Sequence, residues 1–235
     1  MKRVLVFLVC ISFLGTAGNN AVVAQLSGGG ILSQDQIGNG LREALDHGIA
    51  NQVSKLTAVD GFYKNDLVKI LLPKELQKVD KTLRRIGLGS LADQGIMAMN
   101  RAAEDAVKTA TPIFVDAVKG ITFTDAKNIL LGNENAATTY LKEKTNTSLY
   151  KEFNPVIKNS FAKVGADQIW STLISKYNGM PFVKKVNPDL TDYVTQEALD
   201  GVFTMIAEEE KGIRKKSGLR NTELLKNVFS LQDKR

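Results

Sequence analysis

Apolar residues recur every three to four positions along most of this chain, and stretches alternating strictly between apolar and polar are missing. That spacing predicts helices rather than strands. The clearest stretch is Thr195 to Lys216, TQEALDGVFTMIAEEEKGIRKK, which reads as one long helix. At about 100° per residue, Leu199, Val202, Phe203, Ile206 and Ile213 fall on a single stripe. Glu210 projects onto that stripe, Glu209 onto its edge and Glu208 onto the opposite side. An acidic triplet wrapped around the end of an apolar face is the chain's most distinctive local feature.

Start and stop signals divide the remainder. Ser33 with Gln36 forms a capping box that opens a helix to about Thr57, with Ile37, Leu41, Ala44, Leu45, Ile49, Gln52/Val53 and Leu56 on one stripe. Asp60-Gly61 marks a turn, and residues 62–72 form an irregular crossing with Val68, Ile70, Leu71 and Leu72 available for burial. Pro73 suits the first turn of a helix reaching about Ile86, before Gly87 and Gly89. Ser90 and Asp93 make a second capping box for a helix to about Thr109, whose stripe of Gly95, Met99, Ala102, Ala103 and Ala106 lets another helix approach closely. Short helices follow from Ile113 to Lys119 and from a Thr124 cap to Gly132. Residues 133–145 are helical, and 147–164 continue with a bend or restart at Asn154-Pro155. Ala166 to Asn178 is helical and carries Trp170, the only tryptophan. A turn at Asn187-Pro188 leads into the long helix, Gly218 closes it, and Asn221 caps a last short helix to Ser230. The expected fold is all-α, a single irregular multi-helix bundle of about nine helices over residues 33–230.

The N-terminus sets the compartment. Lys2 and Arg3 precede the apolar run Val4 to Leu14, and small and polar residues lead to Val22-Val23-Ala24. This reads as a secretory signal peptide over residues 1–24, followed by a flexible leader over 25–32 that includes Gly28-Gly29-Gly30. An uncleaved anchor is the other reading, although the apolar run falls short of the roughly 20 residues that span a bilayer. A lipoprotein signal is disfavoured because Cys10 lies inside the apolar run and follows Val9. Cleavage after Ala24 leaves 211 residues without cysteine, so packing rather than disulfides supplies the stability. It also takes Lys plus Arg from 31 to 29 against 25 acidic residues, a formal charge of +4. Export argues against a nucleic-acid partner, and so mild a charge permits at most peripheral contact with an anionic membrane or polymer.

Reactive chemistry is sparse. One histidine and no cysteine in the mature chain rule out a zinc site of the His/Cys type, and nothing calls for a cofactor. His47 projects onto the polar side of the first helix, where a solvated imidazole is the simpler reading than a catalytic base. The acidic triplet admits two readings. One carboxyl of Glu209 or Glu210 with a raised pKa would serve a hydrolase or lyase acting on a cell-wall polymer. Alternatively, Glu208 is a solvated charge, while Glu209 and Glu210 pair with basic residues of a neighbouring helix. A second constellation is Asn100-Arg101 with Glu104. Arg101 projects away from the small-residue stripe, beside Met97 and Glu104, and suits either a surface pair or a covered anion site.

Several strings resemble a bacterial family catalogued as domain of unknown function 4197. They are Gly40-Leu41-Arg42-Glu43-Ala44-Leu45, Asp60-Gly61-Phe62, Met99-Asn100-Arg101-Ala102-Ala103-Glu104 and Ile113-Phe114-Val115-Asp116-Ala117. Further on come Asp125-Ala126-Lys127, Asp192-Tyr193-Val194-Thr195, Ala198-Leu199-Asp200-Gly201, Phe203 and Ile206-Ala207-Glu208-Glu209-Glu210. The resemblance covers nearly all of the mature chain and implies an exported, periplasmic, helical protein with no assigned catalytic residues. Some relatives look like lipoproteins; this chain departs from them in lacking a usable lipobox.

The sequence therefore points to an exported binding or structural module of the cell envelope rather than an enzyme, with an envelope protein or a small ligand as partner. The alternative is the carboxylate-dependent hydrolase or lyase. The candidate polar cluster is Asn100, Arg101, Glu104, Glu209 and Glu210, with no catalytic or metal-binding residue assigned. Because a covered arginine and two carboxylates near an apolar face need partners of opposite charge, Arg101 is expected to contact Glu209 or Glu210.

Overall fold

In the computed structural model, which describes residues 33–233 apart from 86, 88 and 221, the chain forms nine α-helices, with no strand among the described residues. They are α1 (Gln34–Thr57), α2 (Gln77–Arg85), α3 (Gly89–Val107), α4 (Ala110–Lys119), α5 (Phe123–Leu131), α6 (Ala136–Ala162), α7 (Ala166–Asn178), α8 (Leu190–Lys215) and α9 (Glu223–Asp233). Short 3₁₀ turns at Lys74–Leu76 and Ser217–Leu219 lie before α2 and after α8. The all-α bundle of about nine helices is what forms. The signal peptide and leader assigned to residues 1–32, and the cap assigned to Asn221, lie outside the described residues.

Helices α6 and α8, of 27 and 26 residues, are each about 40 Å long. They pack along one another as the spine of the bundle. Helix α3 lies against both, and α1 against α4, α5, α8 and α9. The α8 stripe is buried as its periodicity predicts: Leu199, Val202, Phe203, Ile206 and Ile213 all enter the core. Phe203 meets Phe114 of α4 edge to face, with ring centroids 6.1 Å apart. On α3, Met99, Ala102, Ala103 and Ala106 are buried against neighbouring helices, whereas Gly95 is exposed.

The helix ends show where local signals decide and where they are overruled. Ser33 Oγ accepts from Gln36 N at 3.1 Å while Gln36 Oε1 accepts from Ser33 N at 2.8 Å, completing the first capping box. The second does not form. Helix α3 begins at Gly89, and the Asp93 carboxylate is drawn instead to Arg84 at 2.6 Å. The cap of α5 is Thr122 rather than Thr124, because Asp125 stands three residues on and returns the bond to Thr122 N at 3.0 Å. Helix α4 starts at Ala110, not Ile113, with Pro112 in its first turn, where its missing N–H is not needed. Helix α8 begins at Leu190 under an Asp189 cap and ends at Lys215, before Gly218. For α9, Thr222 Oγ1 accepts from Leu225 N at 3.2 Å.

The expected break at Asn154-Pro155 is absent: α6 runs unbroken with Pro155 inside it. Pro155 and Lys151, one turn earlier, are both exposed, so the carbonyl that loses its N–H partner lies on the solvent side. Phe153, Ile157 and Phe161 on the opposite side are buried and keep the chain helical through the proline.

Residues 58–72 cross the bundle without regular structure. Asp60 has φ +69°, a left-handed conformation that Asp tolerates. A Cβ on Gly61 would lie 2.4 Å from Lys55 O, so only glycine lets the turn fold back onto the end of α1. Phe62, Val68 and Ile70 are buried, while Leu71 stays largely exposed. On α8, a Cβ at Gly201 would stand 2.7 Å from the Phe62 ring. Gly201→Ala should therefore lower the midpoint of urea unfolding: overpacking costs about 1–3 kcal/mol, against the roughly 1 kcal/mol that alanine gains within a helix. An unchanged or raised midpoint would show that the 58–72 crossing yields freely.

Candidate functional site

The five candidate residues fall into separate groups. On α3, Asn100 is fully buried and reads the backbone of the crossing segment: Oδ1 accepts from Ile70 N at 2.9 Å, and Nδ2 donates to Ile70 O at 2.8 Å and Ile96 O at 2.7 Å. Glu104, also buried, accepts from Phe62 N at 3.0 Å and Tyr63 N at 3.3 Å on one oxygen. Its other oxygen accepts from Arg101 Nη1 at 2.6 Å. Arg101 also donates to Asp60, which pairs with Lys64 at 2.7 Å. Lys64, and after it Arg101, hold the Asp60 carboxyl below its ordinary range. Asn100, Arg101 and Glu104 each bond to the crossing segment and together fasten residues 60–70 to α3.

On α8, the triplet partitions as its helical phase predicts, with Glu208 exposed, Glu209 half-buried and Glu210 buried. Glu210 sits at the open N-terminus of α6, whose cap residue Asn135 makes no side-chain capping bond. Its oxygens accept from Ala137 N and Thr138 N, both at 2.9 Å, and from Thr138 Oγ1 at 2.8 Å. Arg214, one turn along α8, donates to Glu210 Oε1 through Nε at 2.9 Å and Nη2 at 2.7 Å. The same guanidinium reaches the end of α5, donating to Ile129 O at 2.8 Å and Leu130 O at 3.2 Å. The carboxylate thus meets the positive end of one helix dipole and the guanidinium the negative end of another. Glu209 turns to α1, accepting from Gln52 Nε2 at 2.6 Å and Asn51 Nδ2 at 3.5 Å.

The expected contact between Arg101 and Glu209 or Glu210 does not form. Arg101 is satisfied by Asp60 and Glu104, and Glu210 by Arg214 and the first turn of α6, so neither needs the other. Arg214 was open to discovery in the sequence, since it lies four residues after Glu210 on the same face. The amides of Ala137 and Thr138 carry no such signal. Arg220 is a second unforeseen clasp, donating to Ile213 O at 3.0 Å and Arg214 O at 2.9 Å and pairing with Asp233.

Space for a substrate is scant here. The apolar crevice touching Glu209, Glu210 and Arg214, walled by Leu41, Leu45 and Ile213, has a volume of about 30 Å³, room for little more than water. Two adjoining open grooves of about 510 and 460 Å³ share Ile113 and Ser148 where α4 meets α6, and neither touches a candidate residue. His47 lies on the exposed side of α1. Among the described residues no group of three or more His, Cys, Asp or Glu side chains is placed to hold a metal ion, and no helix is long and apolar enough to cross a membrane.

A further polar node ties α6 to the start of α8. Tyr150 Oη donates to Asp192 Oδ1 at 2.6 Å, and Asn187 and Gln196 also donate to this carboxylate. The Tyr150 bond, ahead of opposing burial, holds Asp192 below the ordinary carboxylate range, while Asp192 and then burial push Tyr150 up to about 12.

Fold and polar clusters together define an all-helical protein whose buried charges are taken up by its own backbone and side chains. The chain belongs to the family described as Protein of unknown function (DUF4197), whose model matches residues 31–230. No curated protein and no solved structure matches it.

Two outcomes follow. The Arg214 side chain is 2 % exposed and the Arg101 side chain 37 %. Arg214→Met should leave Glu210 without its guanidinium and the Ile129 and Leu130 carbonyls without their donor, all inside the core, and cost about 3–5 kcal/mol. Arg101→Met should cost only about 1–2 kcal/mol, because Glu104 keeps two backbone donors and water reaches the vacated place. Chemical denaturation gives both values, and the reverse order would contradict the assignment. For the Tyr150–Asp192 bond, the depressed Asp192 stabilises the fold at neutral pH and loses that contribution as pH falls below about 4. The raised Tyr150 stabilises it below about pH 10 and loses that as pH climbs through about 12. In an absorbance titration of the five tyrosines, Asp192→Asn should bring one late ionisation back towards the ordinary value; an unchanged curve would mean that the bond does not form.

Proposed function

We propose that this protein is a non-catalytic helical binding module of the cell envelope, delivered by export through its N-terminal segment. The observation that carries the reading is the saturation of Glu210. Three donors from Ala137 and Thr138 and the Arg214 guanidinium occupy a carboxylate that a hydrolytic mechanism would need free. A glycosidase also needs a second carboxyl across a space that admits a sugar, and the crevice beside Glu209 and Glu210 has no such space. With the candidate polar residues engaged internally, what the protein offers a partner is its outer surface. The basic, apolar and small-residue segments of residues 1–24 support export to the periplasm.

Two measurements test the reading. Protein recovered from a periplasmic extract should begin at Gln25, and an intact Met1 end in the cytosol would count against export. Incubated with purified cell-wall polymer, the protein should release no soluble fragments. Release that vanishes in Glu209→Gln would overturn the non-catalytic assignment.

A further inference from the structure

The connection between α7 and α8 is closed at its base and apolar at its tip. Asn178, the last residue of α7, uses both ends of its amide on Val186: Nδ2 donates to Val186 O at 2.7 Å, and Oδ1 accepts from Val186 N at 2.8 Å. Just beyond, Trp170 Nε1 donates to Asn187 O at 3.1 Å, and the indole stacks on Tyr193 with centroids 6.1 Å apart. Val186 and Trp170 are buried, which anchors this clasp in the core. Residues 179–185 therefore form a compact loop with joined ends, a design that frequently carries function.

The tip of that loop is built the wrong way round for a solvated turn. Met180 is more than half exposed, Pro181 is exposed, and Phe182 is fully exposed. Phe182 has φ +62°, a left-handed conformation unfavourable for a bulky L side chain. So exposed a ring gains no packing among the described residues to offset this. On the shoulder of the loop stand Lys184 and Lys185, both exposed. Lys184 Nζ meets Glu75 at 2.6 Å, and Lys74 is the neighbour of that glutamate, so two lysines bear on one carboxylate while Lys185 stands exposed beside them. The Lys184 side chain is 83 % exposed, so its bond to the half-buried Glu75 is open to water and weakly held, and a competing anion can draw the lysine away.

We propose that this loop docks the protein on an anionic lipid bilayer. Met180 and Phe182 enter the boundary between headgroups and acyl chains, while Lys184, Lys185 and Lys74 rest on lipid phosphates. An apolar point beneath a basic shoulder matches the two layers that such a surface presents, negative headgroups over an apolar interior. The proposal gives the envelope-module reading a partner class. It rests on that reading only for which membrane is met, since vesicle binding does not depend on export.

The test uses the full chain with Phe182→Trp as a reporter, mixed with vesicles of phosphatidylcholine alone or with added phosphatidylglycerol. The N-terminal segment is common to all variants, so differences between them report the loop. On anionic vesicles the new indole should shift its emission to the blue and be quenched by lipids brominated near the headgroup, with little response to neutral vesicles. Neutralising Lys184 and Lys185 with glutamine should weaken binding roughly fivefold for each lysine. Phe182→Asn suits the left-handed backbone better than phenylalanine, so it should fold as well as the parent while binding at least about tenfold more weakly. An indole that stays in water with both vesicle types would overturn the proposal, as would equal responses to neutral and anionic lipid. A blue shift that grows with protein concentration in the absence of lipid would assign the tip to a second copy of the chain. Burial of the tip by a protein partner without any vesicle response would assign it to that partner. Either result would overturn lipid docking.

Discussion

The buried ion pair between Glu210 and Arg214 is the interaction on which the bundle's assembly depends. Three helices meet there: α6 begins at the carboxylate, α5 ends at the guanidinium, and α8 supplies both side chains from adjacent turns. Ordinarily each helix end leaves backbone groups that need side-chain caps or water. Here one salt bridge serves two of those ends inside the core, where water would otherwise have to enter. Arg220 repeats the device one step further on, closing the end of α8 with bonds to Ile213 O and Arg214 O. The chain thus uses its most conspicuous polar residues to join helices, which leaves them little freedom to act on a substrate.

The strings by which the chain resembles its family gain a physical reason at a second junction. Asp60-Gly61-Phe62, the α3 string ending in Glu104, and the α8 string ending in Gly201 come together around residues 58–72. Asp60 bonds Arg101, Phe62 N donates to Glu104, and the Phe62 ring lies against the bare Cα of Gly201. Asn100 completes the junction by pairing with the backbone of Ile70 on both its donor and acceptor sides. A segment with no regular structure of its own needs its buried N–H and C=O groups satisfied from elsewhere, and Asn100 and Glu104 do this. The recurrence of these residue types in one place is accounted for by folding.

Much of this was legible in the sequence wherever the cause is local. The Ser33 capping box, the limits of α7, and the division of Glu208, Glu209 and Glu210 between surface, edge and core follow from spacing along single helices. Structure and local signal part where a neighbour outside the helix overrides the signal. Asp93 leaves Ser90 for Arg84, and Pro155 is carried through α6 by the burial of Phe153 and Ile157. Choice of partner was least accessible. The sequence shows that Arg101 and Glu210 each need an opposite charge, but the selection of Asp60 and Arg214 depends on which turns lie adjacent after folding. The Glu210–Arg214 pair is the exception, because a single helix fixes the position of one relative to the other.

The central claim is that the α8 carboxylate is a structural cap for α6 and not an unoccupied functional group. Hydrogen exchange at single amides tests it most directly, because first-turn amides of an uncapped helix exchange readily while capped, buried ones do not. The account predicts that the amides of Ala137 and Thr138 exchange as slowly as those in the middle of α8, and that Glu210→Ala releases both. Rapid exchange of these two amides in the unaltered protein would contradict it.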